Sequence, residues 1–252
     1  MDKKEVLIVG FGVVGHNLYN ELKKLNPDVY DKYKPEFWDK KQGEKYDFAF
    51  ICVDTPYIDQ TKTCDIEQVK AALQENDAEI YIIKSTVLPG TVETLKKETG
   101  KRIVFSPEYY GGTQHCNNFD FDFTILGGDK QDCLEVQQVL QRVYDGRHTF
   151  HIVDSTTAEL VKYMENSWLA TKVTFCNEFY RIANQAGVDY EELRELFILD
   201  PRVNPSHTFV YRDQPYWVSH CLNKDVPAIA SMFEAPLLES VIHINNKHKE
   251  NK

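Results

Sequence analysis

The sequence predicts an α/β fold, in which a parallel-sheet domain comes first and a helical domain with one long central helix follows. Two observations indicate this order. Up to residue 153, short apolar runs of strand-forming residues alternate with amphipathic stretches, as in a parallel sheet with crossover helices. From residue 155 onwards, one helical period continues for longer than in an average globular helix. We therefore divide the chain into residues 1–153 and residues 154–252.

The first part of the chain contains the predicted strands and the helices that connect them. Strands are predicted at residues 6–9, 29–30, 48–53, 80–83, 103–105 and 123–126. Helical patterns separate them at residues 16–25, 65–73, 91–97 and 131–144. Most of these patterns are long enough to return the chain to the same sheet edge, so we expect the strands to run parallel.

The second part is dominated by a predicted helix from Ser155 to Gly187. Thr156 and Glu159 have the spacing of a capping box, and Gly187 supplies a stop signal. Asp189 with Glu192 predicts the start of a further helix. We expect residues 200–220 to be irregular and the polar residues 245–252 to be frayed.

Bulk properties exclude several classes of function. A net charge of −10 over 252 residues, with dispersed lysines and arginines, leaves no basic patch for nucleic acid or an anionic membrane surface. The apolar run at residues 6–9 is too short for a signal peptide or a membrane span, so we expect a soluble, cytoplasmic protein. Six scattered cysteines are interpreted as reduced thiols. The pairs His148/His151 and His115/Cys116 lack a second ligand pair, so no metal site is predicted.

A glycine motif directly follows the first apolar run, in the order Gly10, Phe11, Gly12, Val13, Val14, Gly15. This GxGxxG pattern between a strand and a helix is typical of a Rossmann-type dinucleotide-binding domain. Its first two glycines bring backbone N–H groups to the pyrophosphate, and the third allows close packing of helix on strand.

Asp31 ends the second apolar run, where an acidic side chain can accept hydrogen bonds from the adenosine ribose. Because its charge repels a 2′-phosphate, we predict NAD rather than NADP as the cofactor. Lys32 and Lys34 lie close to Asp31 and weaken this preference. The alternative is a glycine turn that binds no nucleotide.

Further motifs follow the glycine loop in a particular order. They are VDTP at 53–56, KSTVLPGT at 84–91, SPEY at 106–109, AELVKYMEN at 158–166, LA at 169–170, NE at 177–178, DPR at 200–202 and CLNKD at 221–225. The ordered set, which spans residues 10–225, resembles the UDP-glucose/GDP-mannose 6-dehydrogenase family. It is far more specific than any one motif.

The resemblance implies NAD-dependent oxidation of the C6 primary alcohol of a nucleotide sugar to a carboxylate, with two NAD reduced per turnover. A nucleophile must trap the aldehyde before a second hydride can leave. By the resemblance this nucleophile is Cys221, through a thiohemiacetal and then a thioester that water hydrolyses. The same resemblance implies the remaining site residues. Catalytic roles fall to Lys162, Asn166, Asp225, Glu108 and Thr86, substrate contacts also to Tyr109, Arg202 and Lys224, and cofactor contacts to Val53, Thr55, Pro56, Ser85 and Thr86.

Spacing supports part of this site independently. Lys162 and Asn166 are four residues apart, so they share one face of the long helix and can jointly hold a developing oxyanion. If a helix begins near Cys221, with Pro227 in its first turn, its dipole and Lys224 would favour the thiolate. The plain alternatives are that Cys221 is a small buried apolar residue, Lys162 a solvated helix residue and Glu108 an ordinary loop carboxylate.

Three departures from the family pattern bear on the substrate. A glycine-rich stretch before the cysteine is replaced by residues 216–220 (YWVSH), whose side chains we expect to occupy the sugar space. Gly112 stands where the family usually has a second glutamate. The chain also ends soon after Asp225, so we expect a short form without the C-terminal nucleotide-sugar-binding domain. Two alternatives stay open: a non-catalytic protein that binds NAD or a nucleotide sugar, and an alcohol dehydrogenase that stops after one hydride.

Apolar residues surround much of the long helix, including Trp168, Phe175 and Phe179. One small domain cannot cover them all, so we predict a homodimer packed along this helix, as the resemblance also implies. A helix buried inside its own domain is the alternative.

Overall fold

The computed structural model describes residues 5–41, 43–110 and 121–250. Its strands are β1 (Val6–Val9), β2 (Asp28–Tyr30), β3 (Lys45–Ile51), β4 (Tyr57–Ile58), β5 (Thr63–Cys64), β6 (Asp77–Ile83), β7 (Arg102–Phe105), β8 (Phe123–Gly127) and β9 (Thr149–Val153). Its α-helices are α1 (Val13–Glu21), α2 (Glu67–Glu75), α3 (Thr91–Thr99), α4 (Lys130–Leu140), α5 (Ser155–Ala186), α6 (Tyr190–Phe197), α7 (Leu222–Met232) and α8 (Pro236–Glu250). Short 3₁₀ helices cover Leu22–Leu25 and Pro35–Lys40. Gly112, His115 and Cys116 lie outside the described residues.

Seven strands form one sheet in the order β2-β1-β3-β6-β7-β8-β9. All adjacent pairs are parallel except β7 and β8, so the predicted α/β fold is confirmed. The expectation of a wholly parallel sheet was wrong at β8, which runs antiparallel to β7 through Phe105 and Gly127. The edge strand β9 was not predicted, because its side chains are exposed or half-buried and form no continuous apolar run.

The chain order reverses around β1, which lies between β2 and β3. In an open α/β sheet such a reversal marks a crevice outside the carboxyl ends of the strands, where ligands bind. Leu7 and Val9 belong to the core on one face of the sheet, and Val6 and Ile8 to the core on the other. Burial on both faces explains why the apolar runs of the sequence are continuous rather than alternating.

The long helix is confirmed as α5, Ser155–Ala186, and Gly187 follows it with a φ of +72°. Its predicted capping box was wrong. Asp154 caps the helix, because its Oδ1 accepts from the Thr157 backbone N–H at 2.8 Å and its Oδ2 from the Thr157 hydroxyl at 2.6 Å. The Glu159 carboxylate instead binds backbone N–H groups at the start of α3. A helix therefore begins where predicted, although a different side chain caps it.

The chain forms two compact units, and the boundary between them falls within α5. One unit comprises the chain up to Ile58 with Cys64–Lys162, and the other Asp59–Thr63 with Tyr163–Lys252. The domain division at residues 153–154 stays a prediction. No helix among the described residues is long and apolar enough to span a bilayer.

The second unit has a core of its own. The helix predicted from Asp189 is confirmed as α6, with Asp189 accepting from the backbone N–H groups of Glu191 and Glu192. The expectation of a frayed C-terminal end was wrong up to residue 250, since α8 continues to Glu250. Asn245 and His248 lie buried on this helix, so its polar composition hides an inward face.

Candidate active site

The glycine loop between β1 and α1 has the geometry of a phosphate cradle. Gly10 has a φ of +88°, and a Cβ there would lie 2.5 Å from the Cys52 carbonyl oxygen. A Cβ at Gly15 would lie 2.0 Å from the Gly10 carbonyl oxygen, so helix and loop touch at this point. Around Gly12 a Cβ would meet nothing within 4 Å. This open space, in front of the backbone N–H groups at the start of α1, fits a pyrophosphate.

Asp31 ties the glycine loop to the end of β2. Its Oδ2 accepts from the Phe11 backbone N–H at 2.7 Å, and its Oδ1 accepts from the Tyr33 backbone N–H at 2.9 Å. A carboxylate has further lone pairs, so the same side chain can still receive a ribose hydroxyl. Lys34 Nζ donates to the Phe11 carbonyl oxygen at 2.6 Å, and Lys32 forms an exposed ion pair with Glu75. Both lysines therefore have partners inside the protein.

The remaining loop residues have distinct environments. Val13 is the first residue of α1 and is exposed, whereas Val14 packs against the sheet core. The Phe11 ring lies 4.5 Å from the Phe37 ring, centroid to centroid. Aromatic packing thus covers the outer side of the loop.

Two hydroxyl hydrogen bonds join the chain after β3 to the chain after β6. Thr55 Oγ1 donates to the Thr86 carbonyl oxygen at 2.6 Å, and Ser85 Oγ donates to the Val53 carbonyl oxygen at 2.6 Å. The Pro56 carbonyl oxygen accepts from the Asp65 backbone N–H at 2.8 Å. The structure thus brings the predicted cofactor residues of two separate motifs together at the carboxyl edge of the sheet.

Glu108 follows β7 at the same edge and is buried. Its Oε2 accepts from the Tyr110 backbone N–H at 2.8 Å. Lys84 Nζ donates to Ser106 Oγ at 3.2 Å and to the Pro107 carbonyl oxygen at 3.3 Å, and burial lowers the pKa of Lys84. Glu108 is therefore a buried carboxylate held by a backbone N–H group, and its catalytic role stays a prediction.

A second carboxylate, that of Glu21, binds Tyr110, which directly follows the SPEY motif. The Tyr110 hydroxyl donates to Glu21 Oε1, and the Tyr144 hydroxyl donates to Glu21 Oε2 at 2.6 Å. Burial raises the pKa of both tyrosines, with the charge of Glu21 as the next cause. Lys84, Glu21 and Tyr110 carried no assigned role in the sequence. Lys84 is the first residue of the KSTVLPGT motif, whereas Glu21 and Tyr110 had no local signal.

Lys162 lies in the first unit and is buried, with 5% of its surface exposed. Its Nζ lies 5.0 Å from the centroid of the Tyr109 ring, a cation–π distance. Because it is buried, the alternative of an ordinary solvated helix lysine is excluded. Tyr109 and Lys162, which the resemblance assigned to the substrate, are thus in contact.

In the second unit Cys221 stands at the N-cap of α7 and is partly exposed. It is therefore not a buried small apolar residue. Pro227 lies inside α7 rather than in its first turn, so that expectation was wrong. Among the described residues, no group of three or more His, Cys, Asp or Glu side chains could hold a metal ion.

A buried polar cluster follows Cys221 along α7. Asp225 Oδ2 accepts from Asn166 Nδ2 at 2.6 Å, and Asp225 Oδ1 accepts from Lys224 Nζ. All three residues are buried, with at most 9% of each residue exposed. Three polar groups are buried together only when they satisfy one another, and here they do.

Two expectations about the substrate side need comment. The Arg202 side chain is exposed and forms an ion pair with Asp200 at 2.6 Å. Trp217, expected to occupy the sugar space, is instead buried in the core of the second unit. Val218 and His220, which follow it in the sequence, are exposed. Only part of the segment at residues 216–220 therefore faces outward.

Two family models match the chain. Residues 20–147 match the NAD binding domain of the UDP-glucose/GDP-mannose dehydrogenase family, and residues 156–247 match the central domain of that family. The first match covers half of the chain.

The chain belongs to the UDP-glucose/GDP-mannose dehydrogenase family.

The match to its NAD binding domain confirms NAD as the predicted cofactor. That match begins at residue 20 and does not include the glycine loop. The assignment of the loop to NAD therefore rests on its own geometry.

Individual relatives agree with the family match. A GDP-mannose 6-dehydrogenase of Pseudomonas syringae pv. tomato is 30% identical over 230 residues, which cover 81% of this chain and 52% of the relative. A UDP-N-acetyl-D-mannosamine dehydrogenase of Methanocaldococcus jannaschii is 29% identical over 194 residues, covering 72% and 44%. The chain thus spans about half the length of these curated relatives.

Solved structures share the fold. A UDP-glucose dehydrogenase from Pyrobaculum islandicum superposes with a TM-score of 0.75 at 22% identity, over 97% of this chain and 68% of that one. A UDP-D-ManNAc dehydrogenase from Pyrococcus horikoshii gives a TM-score of 0.76 at 23% identity, with the same coverage.

Proposed function

We propose that this chain acts in the NAD-dependent oxidation of a sugar C6 alcohol, carried by a nucleotide sugar or a related sugar, to the carboxylate. The observation that carries the proposal is the buried cluster of Asn166, Lys224 and Asp225, which lies one helical turn beyond the partly exposed Cys221. Burying three polar side chains beside an accessible thiol has no advantage for packing alone.

The chemistry divides into two oxidations and a hydrolysis. Bound NAD supplies the hydride acceptor for both oxidations. The Cys221 thiolate adds to the aldehyde carbon and forms a C–S bond, which gives a thiohemiacetal. Loss of the second hydride leaves a thioester, and water cleaves the C–S bond to release the acid and the thiol.

The other residues support these steps. Lys162 and Asn166 donate to the oxygen that carries negative charge in the tetrahedral states. By family resemblance, Asp225 with Thr86 orients the hydrolytic water, and Glu108 transfers its proton. Tyr109, Lys224 and Arg202 contact the sugar substrate.

The test is turnover by the purified chain with NAD and a panel of UDP-glucose, UDP-N-acetylmannosamine and GDP-mannose. We expect NADH and a sugar acid in a ratio of two to one. Cys221→Ser should form no acid, because a serine hydroxyl is not deprotonated at neutral pH, whereas Cys64→Ser should form acid like the wild type. Equal acid yield from Cys221→Ser would refute the thioester route. One NADH per aldehyde would indicate a simple alcohol dehydrogenase.

A non-catalytic NAD-binding or nucleotide-sugar-binding protein is the second candidate. The exposed Val218 and His220, next to Cys221 in the sequence, favour it, because they stand where the family has glycines. Calorimetry that shows NAD binding, with no NADH formed from any sugar of the panel, would select this candidate.

We also propose that a second copy of this chain covers an apolar stripe on α5. The stripe consists of Met164, Trp168, Phe175, Phe179 and Ile182, and each of these side chains is exposed. They recur at helical spacing, so they share one face of the helix. Phe197 of α6 extends this surface, with its ring 6.5 Å from that of Phe175.

A further inference from the structure

The segment before Cys221 is fixed by an asparagine from another helix. The Trp217 backbone N–H donates to Asn245 Oδ1 at 2.8 Å, and Asn245 Nδ2 donates back to the Trp217 carbonyl oxygen at 3.1 Å. Both residues are buried. The side-chain amide on α8 thus pairs with the backbone of Trp217 as a neighbouring strand would.

The Trp217 side chain adds two further attachments. Its indole Nε1 donates to Thr174 Oγ1 of α5 at 3.0 Å. Its ring belongs to the core cluster that contains Leu222 and Val226 of α7 and Val241 of α8. Trp217 therefore packs against the helix that Cys221 begins.

The short connection to Cys221 is also held. Ser219 Oγ accepts from the Leu222 backbone N–H at 3.0 Å, in the first turn of α7. Only three residues lie between Trp217 and Cys221, and this contact holds the second of them, Ser219. The backbone position of Cys221 is set from both sides.

Packing alone does not explain Asn245. A buried amide without partners destabilises the folded state by about 1–3 kcal/mol, and an apolar side chain would fill the same space without that loss. At this position the amide satisfies both backbone groups of one residue, in a segment that belongs to neither a strand nor a helix of the described structure.

We propose that Asn245 and Trp217 are positioning residues for Cys221. They hold the Tyr216–His220 backbone with side chains, so that the thiol stays at the start of α7 and captures the aldehyde before it escapes. The part of this inference that concerns the aldehyde rests on the proposed function; the part that concerns the thiol does not.

The experiment compares Asn245→Ala with Asn246→Ala, which removes the exposed neighbouring amide. The substrate-independent measurement is the rate of Cys221 alkylation by iodoacetamide at neutral pH, read by mass spectrometry of the full chain. We expect Asn245→Ala to react several-fold more slowly, because a frayed first turn no longer favours the thiolate, and Asn246→Ala to match the wild type. Equal rates in the two variants would overturn the proposal.

The second measurement is the partition of product. With the sugar that supports turnover, Asn245→Ala should release aldehyde, trapped as a semicarbazone, at the expense of acid, while the first NADH forms at the wild-type rate. A uniform loss of all products would indicate a merely structural role and overturn the positioning role. If no sugar is oxidised by the wild type, the proposed function fails, and alkylation still decides the positioning of the thiol.

Thr174→Val provides a milder variant if Asn245→Ala does not fold. It removes the Thr174 hydroxyl, which accepts from the Trp217 indole and donates to the Ala170 carbonyl oxygen at 2.9 Å, and it keeps the volume of the side chain. We expect alkylation of Cys221 to slow in the same direction, but less. An unchanged rate in a folded Thr174→Val variant, together with an unfolded Asn245→Ala, would also overturn the proposal.

Discussion

The three motif glycines are required for different physical reasons. Gly10 is needed for its positive φ and for the closeness of the Cys52 carbonyl group. Gly15 is needed because the loop backbone already occupies the space of a Cβ. Gly12 has neither constraint, since it has a φ of −77° and open space around it. The fold itself therefore does not require a glycine at position 12, and the role of Gly12 in NAD binding stays a prediction.

This difference predicts opposite outcomes for two alanine substitutions. Gly12→Ala should fold with nearly wild-type stability but bind NAD at least about tenfold more weakly, a change of about 1.4 kcal/mol in binding free energy. Gly15→Ala should lower the free energy of unfolding by about 1–3 kcal/mol, because two backbone segments must separate. Calorimetry measures the NAD affinity, and urea unfolding measures the free energy of unfolding. Wild-type NAD affinity in Gly12→Ala would contradict the assignment of the open space.

Predictions for single residues succeeded where the role of a residue depends on its neighbours in the sequence. The glycine spacing and Asp31 predicted the loop, but not that the Asp31 carboxylate would hold the Phe11 backbone. The link from Tyr110 to Glu21 joins residues 89 positions apart and leaves no periodic trace. Such contacts depend on tertiary packing, which a local pattern cannot encode.

At the scale of elements, α3 and α5 are joined by one buried carboxylate. Glu159 Oε2 accepts from the Gly90 backbone N–H at 2.6 Å, and its Oε1 accepts from the Val92 backbone N–H at 2.9 Å. The start of α3 is thus capped from a helix more than 60 residues away in sequence. The spacing of Thr156 and Glu159 predicts a capping box within α5, but Glu159 caps α3 instead. Both arrangements place a glutamate at position 159, so the sequence does not distinguish them.

The Glu159 cap predicts a pH dependence of stability. Burial raises the pKa of Glu159 from 4.5 to about 7, and the two backbone donors only partly oppose it. Because the folded state then binds the proton more tightly than the unfolded state, stability is greatest below pH 4.5 and falls as pH rises through 7. The loss attributable to this group is about 3 kcal/mol.

Urea unfolding at pH 5 and pH 8 measures this loss. Glu159→Gln cannot titrate, so its stability should fall less than that of the wild type between the two pH values. Glu98→Gln, at an exposed position of α3, serves as the control and should follow the wild type. Identical pH dependence in wild type and Glu159→Gln would show that this carboxylate does not change its protonation on unfolding.

Elements with a buried face were predicted better than elements with an exposed one. The six predicted strands are present, and β9 at the sheet edge was missed. At the other end of the chain, the polar composition of residues 245–250 concealed the inward side of α8. In both cases the buried side chains are too few or too polar to produce an apolar period.

At the scale of the molecule, the order of motifs carried the family assignment, and the family models match both parts of the chain. Each unit contains its own share of the predicted site. The first unit contains the NAD loop, Glu108 and Lys162, and the second contains Asn166, Cys221 and Asp225. The sequence division at residues 153–154 places Lys162 and Asn166 together in the second part, whereas the boundary between the two units falls between these residues, inside one motif.

The last prediction concerns the apolar stripe on α5, where Trp168 is 61% exposed and Met164 is 78% exposed. An exposed row of large apolar side chains on one helix face is unfavourable in water, and a second copy would remove it from solvent. Trp168→Glu places a charge in the proposed interface, which a desolvated apolar contact does not tolerate. We expect light scattering at micromolar concentration to give a dimer for the wild type and a monomer for Trp168→Glu. Tyr33→Glu, which changes an exposed aromatic residue of the first unit, should stay dimeric. A wild-type monomer at that concentration, or a dimeric Trp168→Glu, would exclude this face as the dimer contact.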